Sequence, residues 1–444
     1  MHAPADLLLL PQWIVPVETA GTLTDHAVVV NDGAILDVLP ADAAQARYQA
    51  SHTLPLPGQA LIPGLVNLHC HAAMSLLRGY ADDLPLMTWL NDHIWPAEKQ
   101  HVSAAFVRDG TLLAAAEMLA GGITTCNDMY FYPQAAGEAF LQAGMRAVLG
   151  MVVLEFPSAY AADADDYLAR GLATRDELKD EPLLGFSFAP HAPYTLGDAA
   201  FARINTLAEQ LGLAIHTHIH ETADEITHSL KQYGVRPLER LAQLGLLGPN
   251  FIGVHAVHLN DAEIRLLAQH GCHVAHCPGS NLKLASGIAP VARLVDAGVN
   301  LGLGTDGAAS NNRLDLFAEM RLAALLAKGA SGNAAALPAP TALKMATLDA
   351  ARALNLDDRI GSISIGKRAD LVAIDLSGPE CQPVFDPVSH LVYVAGREHV
   401  THVWVDGTLK LDHGRLVDLE PDDLAARAAW WRGKLAKNFE QGVA

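Results

Sequence analysis

The sequence lacks three features that mark large classes of proteins. It has no uncharged apolar run of about 18 residues, so it predicts no membrane-spanning helix. It has five cysteines, an odd number, and no Cys-x-x-Cys pair, which argues against a disulfide framework. Basic residues are few, 30 against 49 acidic ones, and the formal net charge of −19 disfavours binding to nucleic acid or to an anionic membrane. Together these absences favour a cytoplasmic protein.

The apolar runs and turn signals divide the 444 residues into three regions. Residues 1–60 are β-rich, and residues 366–444 are β-rich up to a terminal helix. Between them, residues 61–365 alternate short apolar runs with amphipathic helical stretches, which predicts an α/β fold, a (β/α)₈ TIM barrel. The two β-rich ends are expected to pair into one small domain beside it. The predicted barrel strands are 64–69, 124–129, 146–153, 185–189, 214–218, 251–255, 273–276 and 301–305.

A His-Cys-His motif stands at the C-terminal tip of the first predicted barrel strand. Side chains alternate along a strand, so His69 and His71 point to the same side. They are about 7 Å apart along the strand, from which two imidazoles can converge on one metal ion. Alone, the motif is also compatible with two polar residues at a strand end.

Further polar motifs end four other predicted strands, and residues at the C-terminal ends of barrel strands face one shared site. A carboxylate buried beside histidines is costly unless it is paired or binds a metal. The set therefore predicts a metal centre rather than a collection of core histidines. The motifs are Ile215-His-Thr-His-Ile-His-Glu-Thr222, Gly253-Val-His-Ala-Val-His-Leu259, His276-Cys-Pro-Gly-Ser-Asn281 and Leu301-Gly-Leu-Gly-Thr-Asp-Gly307.

Several of these segments resemble the amidohydrolase superfamily and, within its chlorohydrolase-like branch, the 5′-methylthioadenosine/S-adenosylhomocysteine deaminases. The resemblance spans nearly the whole chain and implies a metal-dependent barrel with a small β-sandwich built from both chain ends. The matching segments are Pro63-Gly-Leu-Val-Asn-Leu-His-Cys-His71, Pro190-His-Ala-Pro-Tyr194, His218-Ile-His-Glu-Thr222, Ser280-Asn-Leu-Lys-Leu284, Gly287-Ile-Ala-Pro290 and Gly304-Thr-Asp-Gly-Ala-Ala-Ser-Asn-Asn312.

The resemblance implies one divalent metal ion, with Zn²⁺ preferred over Fe²⁺ or Mn²⁺. Members with two ions use a modified lysine on the fourth strand, and this chain has no lysine there. Of the three neighbouring histidines, His218 is preferred as a ligand because it precedes Glu221 by three residues. His216 is expected one layer deeper in the barrel, and His220 on a solvated loop. The implied ligands are His69, His71, His218 and Asp306.

The resemblance also implies a mechanism. Asp306 is expected to take a proton from the attacking water, and His255 to orient that water. Glu221 is expected to protonate the ring nitrogen beside the carbon under attack. The substrate is then a 6-aminopurine nucleoside, with Glu98 binding the ribose hydroxyls and His191 contacting the substrate. Trp89, with Met87 and Leu86, is expected to form an apolar wall on the loop after the first strand.

One departure from the family pattern bears on the substrate. Relatives that accept S-adenosylhomocysteine hold its amino-acid carboxylate with arginines after the third strand. Here Met151 stands at the first of these positions, and no arginine follows until Arg170. A buried carboxylate without a cationic partner is costly, so 5′-methylthioadenosine is the preferred substrate, with S-adenosylhomocysteine and adenosine poorer.

Other interpretations remain open. Guanine, 8-oxoguanine and s-triazine aminohydrolases share the metal motifs, although Glu98 favours a substrate with ribose over a free base. A non-enzymatic scaffold of the same fold is disfavoured, because such proteins typically lose metal ligands and all four are present here. By resemblance, the protein is also expected to form a homo-oligomer.

Overall fold

The computed structural model describes residues 3–19 and 21–439, which form two sheets and their surrounding helices. The chain begins in the first sheet with β1 (Ala3–Ile14), β2 (Leu23–Thr24), β3 (His26–Asn31), β4 (Ala34–Pro40) and β5 (Tyr48–Pro63). The second sheet follows with β6 (Leu65–Cys70), β7 (Ile123–Tyr130), β8 (Arg146–Val153), β9 (Leu184–Pro190), β10 (Ala214–Ile219), β11 (Phe251–His255), β12 (His273–His276) and β13 (Asn300–Leu303). The chain then returns to the first sheet with β14 (Leu371–Asp375), β15 (Val400–Val405), β16 (Thr408–Asp412) and β17 (Arg415–Leu416).

The eight strands of the second sheet are parallel and lie in chain order from β6 to β13, so the predicted barrel is confirmed. Most of these strands are buried along their whole length, as expected where helices cover a parallel sheet. Just beyond the last strand, the Asp306 amide donates to the carbonyl of His69 on the first strand at 3.0 Å. That contact lies at the C-terminal end of the barrel, beside the predicted metal centre.

Within the described ranges there are seventeen α-helices, most of which cover the barrel or connect its strands. Local signals fix several of them; for example, Asn260 and Glu263 form a capping box at the start of the tenth. They are α1 (Ala41–Arg47), α2 (Leu86–Thr88), α3 (Trp95–His101), α4 (Ala104–Ala120), α5 (Pro133–Ala143), α6 (Ala164–Leu178), α7 (Asp198–Leu211), α8 (Ala223–Tyr233), α9 (Pro237–Gln243), α10 (Asp261–Gln269), α11 (Pro278–Lys283), α12 (Val291–Asp296), α13 (Leu316–Ser331), α14 (Ala339–Met345), α15 (Leu348–Ala353), α16 (Pro387–Tyr393) and α17 (Pro421–Phe439).

The nine strands of the first sheet come from both ends of the chain. Strand β5 is central: it pairs in parallel with β1 on one side and antiparallel with β14 on the other. Side chains from both halves share one buried cluster that includes Leu9, Ile35, Leu56, Leu371 and Trp404. This sheet is the composite β-structure that the sequence predicts. No helix in the described part of the chain has the length and apolarity needed to cross a bilayer.

Candidate metal centre and substrate cavity

His69 and His71 lie at the C-terminal end of β6, where the ladder to β7 shifts register between Asn67 and Cys70. Their ring centroids are 4.7 Å apart, and the His69 side chain is fully buried. His71 Nδ1 donates to the Met129 carbonyl at 2.5 Å, and its Nε2 lies 3.4 Å from Asp306 Oδ1, within 4.8 Å of a ring nitrogen of His69. The two imidazoles therefore converge, as the sequence predicts.

His218, at the end of β10, brings a third imidazole to the same point. Its Nε2 lies 3.3 Å from His69 Nε2, and its Nδ1 donates to the His191 carbonyl at 2.7 Å. His216 lies deeper, as predicted, with its Nε2 3.0 Å from His69 Nδ1. Backbone carbonyls and a deeper imidazole thus engage the Nδ1 atoms, an arrangement typical of histidines that ligate a metal through Nε2.

Asp306 supplies an oxygen to this group from the loop after β13, in a left-handed backbone conformation with φ of 61°. Its Oδ1 lies 3.3 Å from His69 Nε2 and 3.4 Å from His71 Nε2. Its Oδ2 accepts from Ser280 Oγ at 2.6 Å and Ser310 Oγ at 2.8 Å. The two serines, for which the sequence analysis gave no role, fix the carboxylate orientation.

The donor spacing fits a single small divalent ion. Four ligands at zinc–nitrogen or zinc–oxygen bond lengths in a tetrahedron are separated by about 3.3 Å. His69 Nε2 lies 3.3 Å from His218 Nε2 and 3.3 Å from Asp306 Oδ1. Burial lowers the pKa of His69 to about 4, so the neutral imidazole that a metal requires is favoured. Burial alone would raise the pKa of Asp306. The neighbouring imidazoles have the larger combined effect, with His69 contributing most among them, and they hold the pKa of Asp306 well below its usual range.

His255 and Glu221 lie beside this group. His255 ends β11, and its Nδ1 donates to Asn281 Oδ1 at 2.8 Å, so its Nε2 is directed toward Glu221 Oε2 at 3.8 Å. A nitrogen of His255 also lies within 4.8 Å of donor atoms of His69 and Asp306. Burial raises the pKa of Glu221, which favours its protonated form. The pair therefore provides a hydrogen-bonding imidazole and a proton donor next to the metal ligands.

A cavity of about 320 Å³ opens onto these residues, within the size range of small-molecule sites. Glu98 and His191 line it, as predicted, and Trp89 and Leu86 contribute to an apolar wall; Met87 is 38 % exposed and lies outside the lining. The lining also includes Lys99, Tyr130, Val152, Leu154 and Phe156.

Glu98 lies on α3, with its carboxylate in the cavity wall. Tyr130 Oη donates to Glu98 Oε1 at 2.6 Å. Burial raises the pKa of Glu98 to about 7, although the Tyr130 hydrogen bond opposes that shift. Tyr130 is a site residue that the sequence analysis missed; its position at the end of β7, a barrel strand, was the available signal.

Two predictions about individual residues are wrong. His220 is not a solvated loop residue: it is buried, its Nε2 accepts from the Leu238 amide at 3.0 Å, and Glu263 lies 3.5 Å away. Met151 does not face the substrate region, because it lies on the outer face of β8, where a Cβ added at Gly171 would be 2.8 Å from Met151 Cβ. Val152 faces the cavity instead.

Comparison with known proteins yields consistent matches. A family model described as "Amidohydrolase family" matches residues 60–410. A 5-methylthioadenosine/S-adenosylhomocysteine deaminase of Saccharophagus degradans is 48 % identical over 440 residues, or 99 % of each chain. A protein of the same name from Teredinibacter turnerae is 47 % identical over 431 residues, covering 97 % of this chain and 98 % of its own.

Comparison with solved structures gives the same family resemblance. An adenosine deaminase from Xanthomonas campestris with bound zinc has a TM-score of 0.97 and 50 % identity, with 98 % of this chain and 100 % of that chain covered. An atrazine chlorohydrolase from Arthrobacter aurescens complexed with zinc has a TM-score of 0.88 at 24 % identity, covering 96 % of this chain and 99 % of its own. The latter similarity supports the fold alone.

Proposed function

The chain belongs to the amidohydrolase family, hydrolases that act on C–N bonds, and we propose that it deaminates a 6-aminopurine nucleoside, with 5′-methylthioadenosine as its preferred substrate. The products are 5′-methylthioinosine and ammonia, and S-adenosylhomocysteine and adenosine are poorer substrates. One observation carries the proposal: a single apolar cavity joins the buried carboxylate of Glu98 to the centre formed by the imidazoles and Asp306.

The family is metal-dependent, and we assign one divalent ion, with zinc preferred, to His69, His71, His218 and Asp306. The converging lone pairs and the 3.3 Å donor spacing support this assignment. When bound, such an ion lowers the pKa of a coordinated water and makes it nucleophilic near neutral pH. A relative with bound zinc is consistent with zinc in this chain.

The protein's own residues complete the proposed reaction. Asp306 accepts a proton from the attacking water, and His255 orients that water through its Nε2. Glu221 donates a proton to the ring nitrogen beside C6, so the ring accepts the electron pair as the new C–O bond forms. Asp306 then passes its proton to the departing amine, the C6–N bond breaks as the C6–O bond becomes a carbonyl, and the proton released from that oxygen restores the acid form of Glu221. The raised pKa of Glu221 suits it to donate.

Glu98 supports a ribose-bearing substrate over a free base. A carboxylate accepts hydrogen bonds only, and the 2′- and 3′-hydroxyls offer two donors to it. Tyr130 donates to one oxygen of Glu98 and so holds the carboxylate in place at the cavity wall. A free purine or triazine has no such diol and leaves the carboxylate with Tyr130 as its donor and no donor from the substrate.

The cavity wall at the end of the third barrel strand favours a substrate with a methylthio group over one with a homocysteine group. Val152, Leu154 and Phe156 line the region after the third barrel strand, and all three are apolar. Lys99, an exposed residue, is the one Lys or Arg among the described lining residues. Arg170 lies outside this lining and pairs with Asp166 at 2.9 Å. The preference for methylthioadenosine therefore rests on these three side chains rather than on Met151.

The test is a deamination assay on zinc-loaded protein, which follows the ultraviolet change from adenine to hypoxanthine. Methylthioadenosine, S-adenosylhomocysteine and adenosine are compared at equal enzyme concentration. We expect kcat/KM to be highest for methylthioadenosine. Equal turnover of S-adenosylhomocysteine would show that Lys99 or another cation holds its carboxylate. Inactivity on all three with metal bound would refute the nucleoside proposal.

Three wider proposals accompany this function. We propose a cytoplasmic location, which the five free, buried cysteines support. We propose a homo-oligomer, as the resemblance to the family implies; light scattering tests it. We also propose that residues 1–60 and 366–444 form one folding unit and residues 61–365 another.

A further inference from the structure

A second group of metal-type donors lies in the terminal sheet, away from the barrel centre. It comprises His402 on β15, Asp412 at the end of β16 and His413 in the following turn. One nitrogen of each imidazole and one carboxylate oxygen lie within 4.8 Å of one another. The ring centroids of the two histidines are 4.5 Å apart. Nothing in the proposed deamination uses these residues.

The backbone brings the three side chains together. In the antiparallel ladder Val403 pairs with Leu411, which places His402 opposite Asp412. The Gly414 amide donates to the Thr401 carbonyl at 2.9 Å and fixes the turn that carries His413. Strand pairing and a turn thus set the positions of the three residues.

His402 is the buried member, with 2 % of its surface exposed. Its Nδ1 lies 2.9 Å from Thr401 Oγ1, and that hydroxyl donates its single proton to Gln59 Oε1 at 2.6 Å. Thr401 Oγ1 therefore accepts from Nδ1–H, and the lone pair of the neutral imidazole is on Nε2.

That Nε2 makes no hydrogen bond to any described residue, and it faces Asp412 Oδ1 at 3.4 Å. A lone pair that faces a carboxylate oxygen is repelled unless a cation lies between them. His413 Nδ1 approaches the same oxygen at 2.7 Å. The unpartnered nitrogen of His402 thus points into a space bordered by a second imidazole and an anion.

We propose that His402, Asp412 and His413 form a second binding site for a first-row divalent transition cation such as zinc. Two imidazoles and one carboxylate are a donor set that zinc accepts, with the remaining position taken by water. The exposure of Asp412 (52 %) and His413 (77 %) leaves the ion accessible from solvent. Such an ion would bind more weakly than one in the buried barrel centre and would clamp β15 to the turn after β16.

The test is calorimetric titration of zinc into protein whose barrel centre already holds one equivalent. We expect one further equivalent to bind, with at least tenfold weaker affinity in His413→Asn and in Asp412→Asn. His52→Asn, which removes an exposed histidine from the same sheet, is the matched control and should bind as the wild type does. Turnover at the barrel centre should be the same in all these variants.

A second readout separates this site from nonspecific surface binding. Zinc beyond the first equivalent should raise the Tm of the wild type and of His52→Asn, because it binds the folded hairpin only, but not that of His413→Asn. Failure of the wild type to bind a second equivalent would overturn the proposal. Unchanged binding in both His413→Asn and Asp412→Asn would do so as well, and neither result bears on the deaminase proposal.

Discussion

Glu221 is a buried carboxyl whose proposed role depends on its holding a proton. Replacement by glutamine keeps the size and hydrogen-bonding capacity but removes the transferable proton. We therefore expect Glu221→Gln to retain zinc and bind methylthioadenosine, while kcat falls by about 10²–10⁴-fold, the usual contribution of a general acid. Metal analysis and steady-state kinetics measure the two properties. Substantial residual turnover in this variant would contradict the assignment.

Ionisation of Glu98 should produce an acidic limb in the dependence of kcat/KM on pH. Burial raises its pKa to about 7, so it is ionised above that pH and protonated below it. Only the ionised form accepts both ribose hydroxyls, so kcat/KM should fall about tenfold per pH unit once the pH is below about 7. Loss of the Glu221 proton acts in the opposite direction, since it removes activity as the pH rises.

The control for this profile is chemical. A nucleoside without the 2′- and 3′-hydroxyls should give a low kcat/KM with no limb near pH 7, and so should Glu98→Gln with the normal substrate. An unchanged acidic limb in that variant would assign the ionisation to another group. Steady-state kinetics from pH 5.5 to 8.5, about 1.5 units on either side of the expected pKa, resolves it.

The sequence predicts single residues well where strand geometry is regular. The convergence of His69 and His71 follows from side-chain alternation at the end of a barrel strand, whereas His218 is distinguished from His216 and His220 only by the family resemblance. The same reasoning fails for His220. The backbone is not extended there, with φ of 53°, and the ring accepts a hydrogen bond from the Leu238 amide. A partner 18 residues further along the chain leaves no periodic signal in the sequence.

Residues 86–101 form one wall of the cavity, and the sequence predicted its first part, Leu86 to Trp89, to be a loop. The structure shows α2, a π-helical turn (Trp89–Ile94) and α3 in succession. Such turns often occur at functional sites, and here the turn places Trp89 and Glu98 in one cavity. The barrel strands were predictable because short, mostly apolar runs alternate with amphipathic helical stretches; the segment 86–101 has no clear helical period to reveal it.

Trp89 tests the contribution of this element. We expect Trp89→Ala to raise the KM for methylthioadenosine at least tenfold with little change in zinc content, because the side chain lines the cavity but lies outside the donor group. Met87→Ala is the matched control, since Met87 is on the same segment and exposed. Loss of zinc in Trp89→Ala would instead indicate that the segment supports the metal centre.

Across the whole molecule, Arg146 joins the two sheets. It lies at the start of β8, and its Nε and Nη2 donate to Asp370, before β14, at 3.0 and 3.1 Å. Both side chains are almost fully buried. Removal of one partner leaves an uncompensated buried charge, so Arg146→Met should lower the free energy of unfolding by about 3–5 kcal/mol.

Urea denaturation of the zinc-loaded protein measures this loss. Arg203→Met removes an exposed ion pair with Asp165 and should cost only about 0–1 kcal/mol. The double variant with Asp370→Asn should recover part of the stability, because the stranded carboxylate is gone. A loss as small as that of Arg203→Met would mean that this ion pair contributes little to holding the two sheets together.

The central position of β5 has a consequence for biosynthesis. Its residues leave the ribosome early and can pair at once with β1, but its other neighbour, β14, is synthesised about 300 residues later. Until then one edge of β5 presents unpaired backbone groups, a template for pairing with other chains. Nascent chains stalled before residue 371 should therefore be prone to aggregation and depend on chaperones, and release of the complete chain should end that dependence.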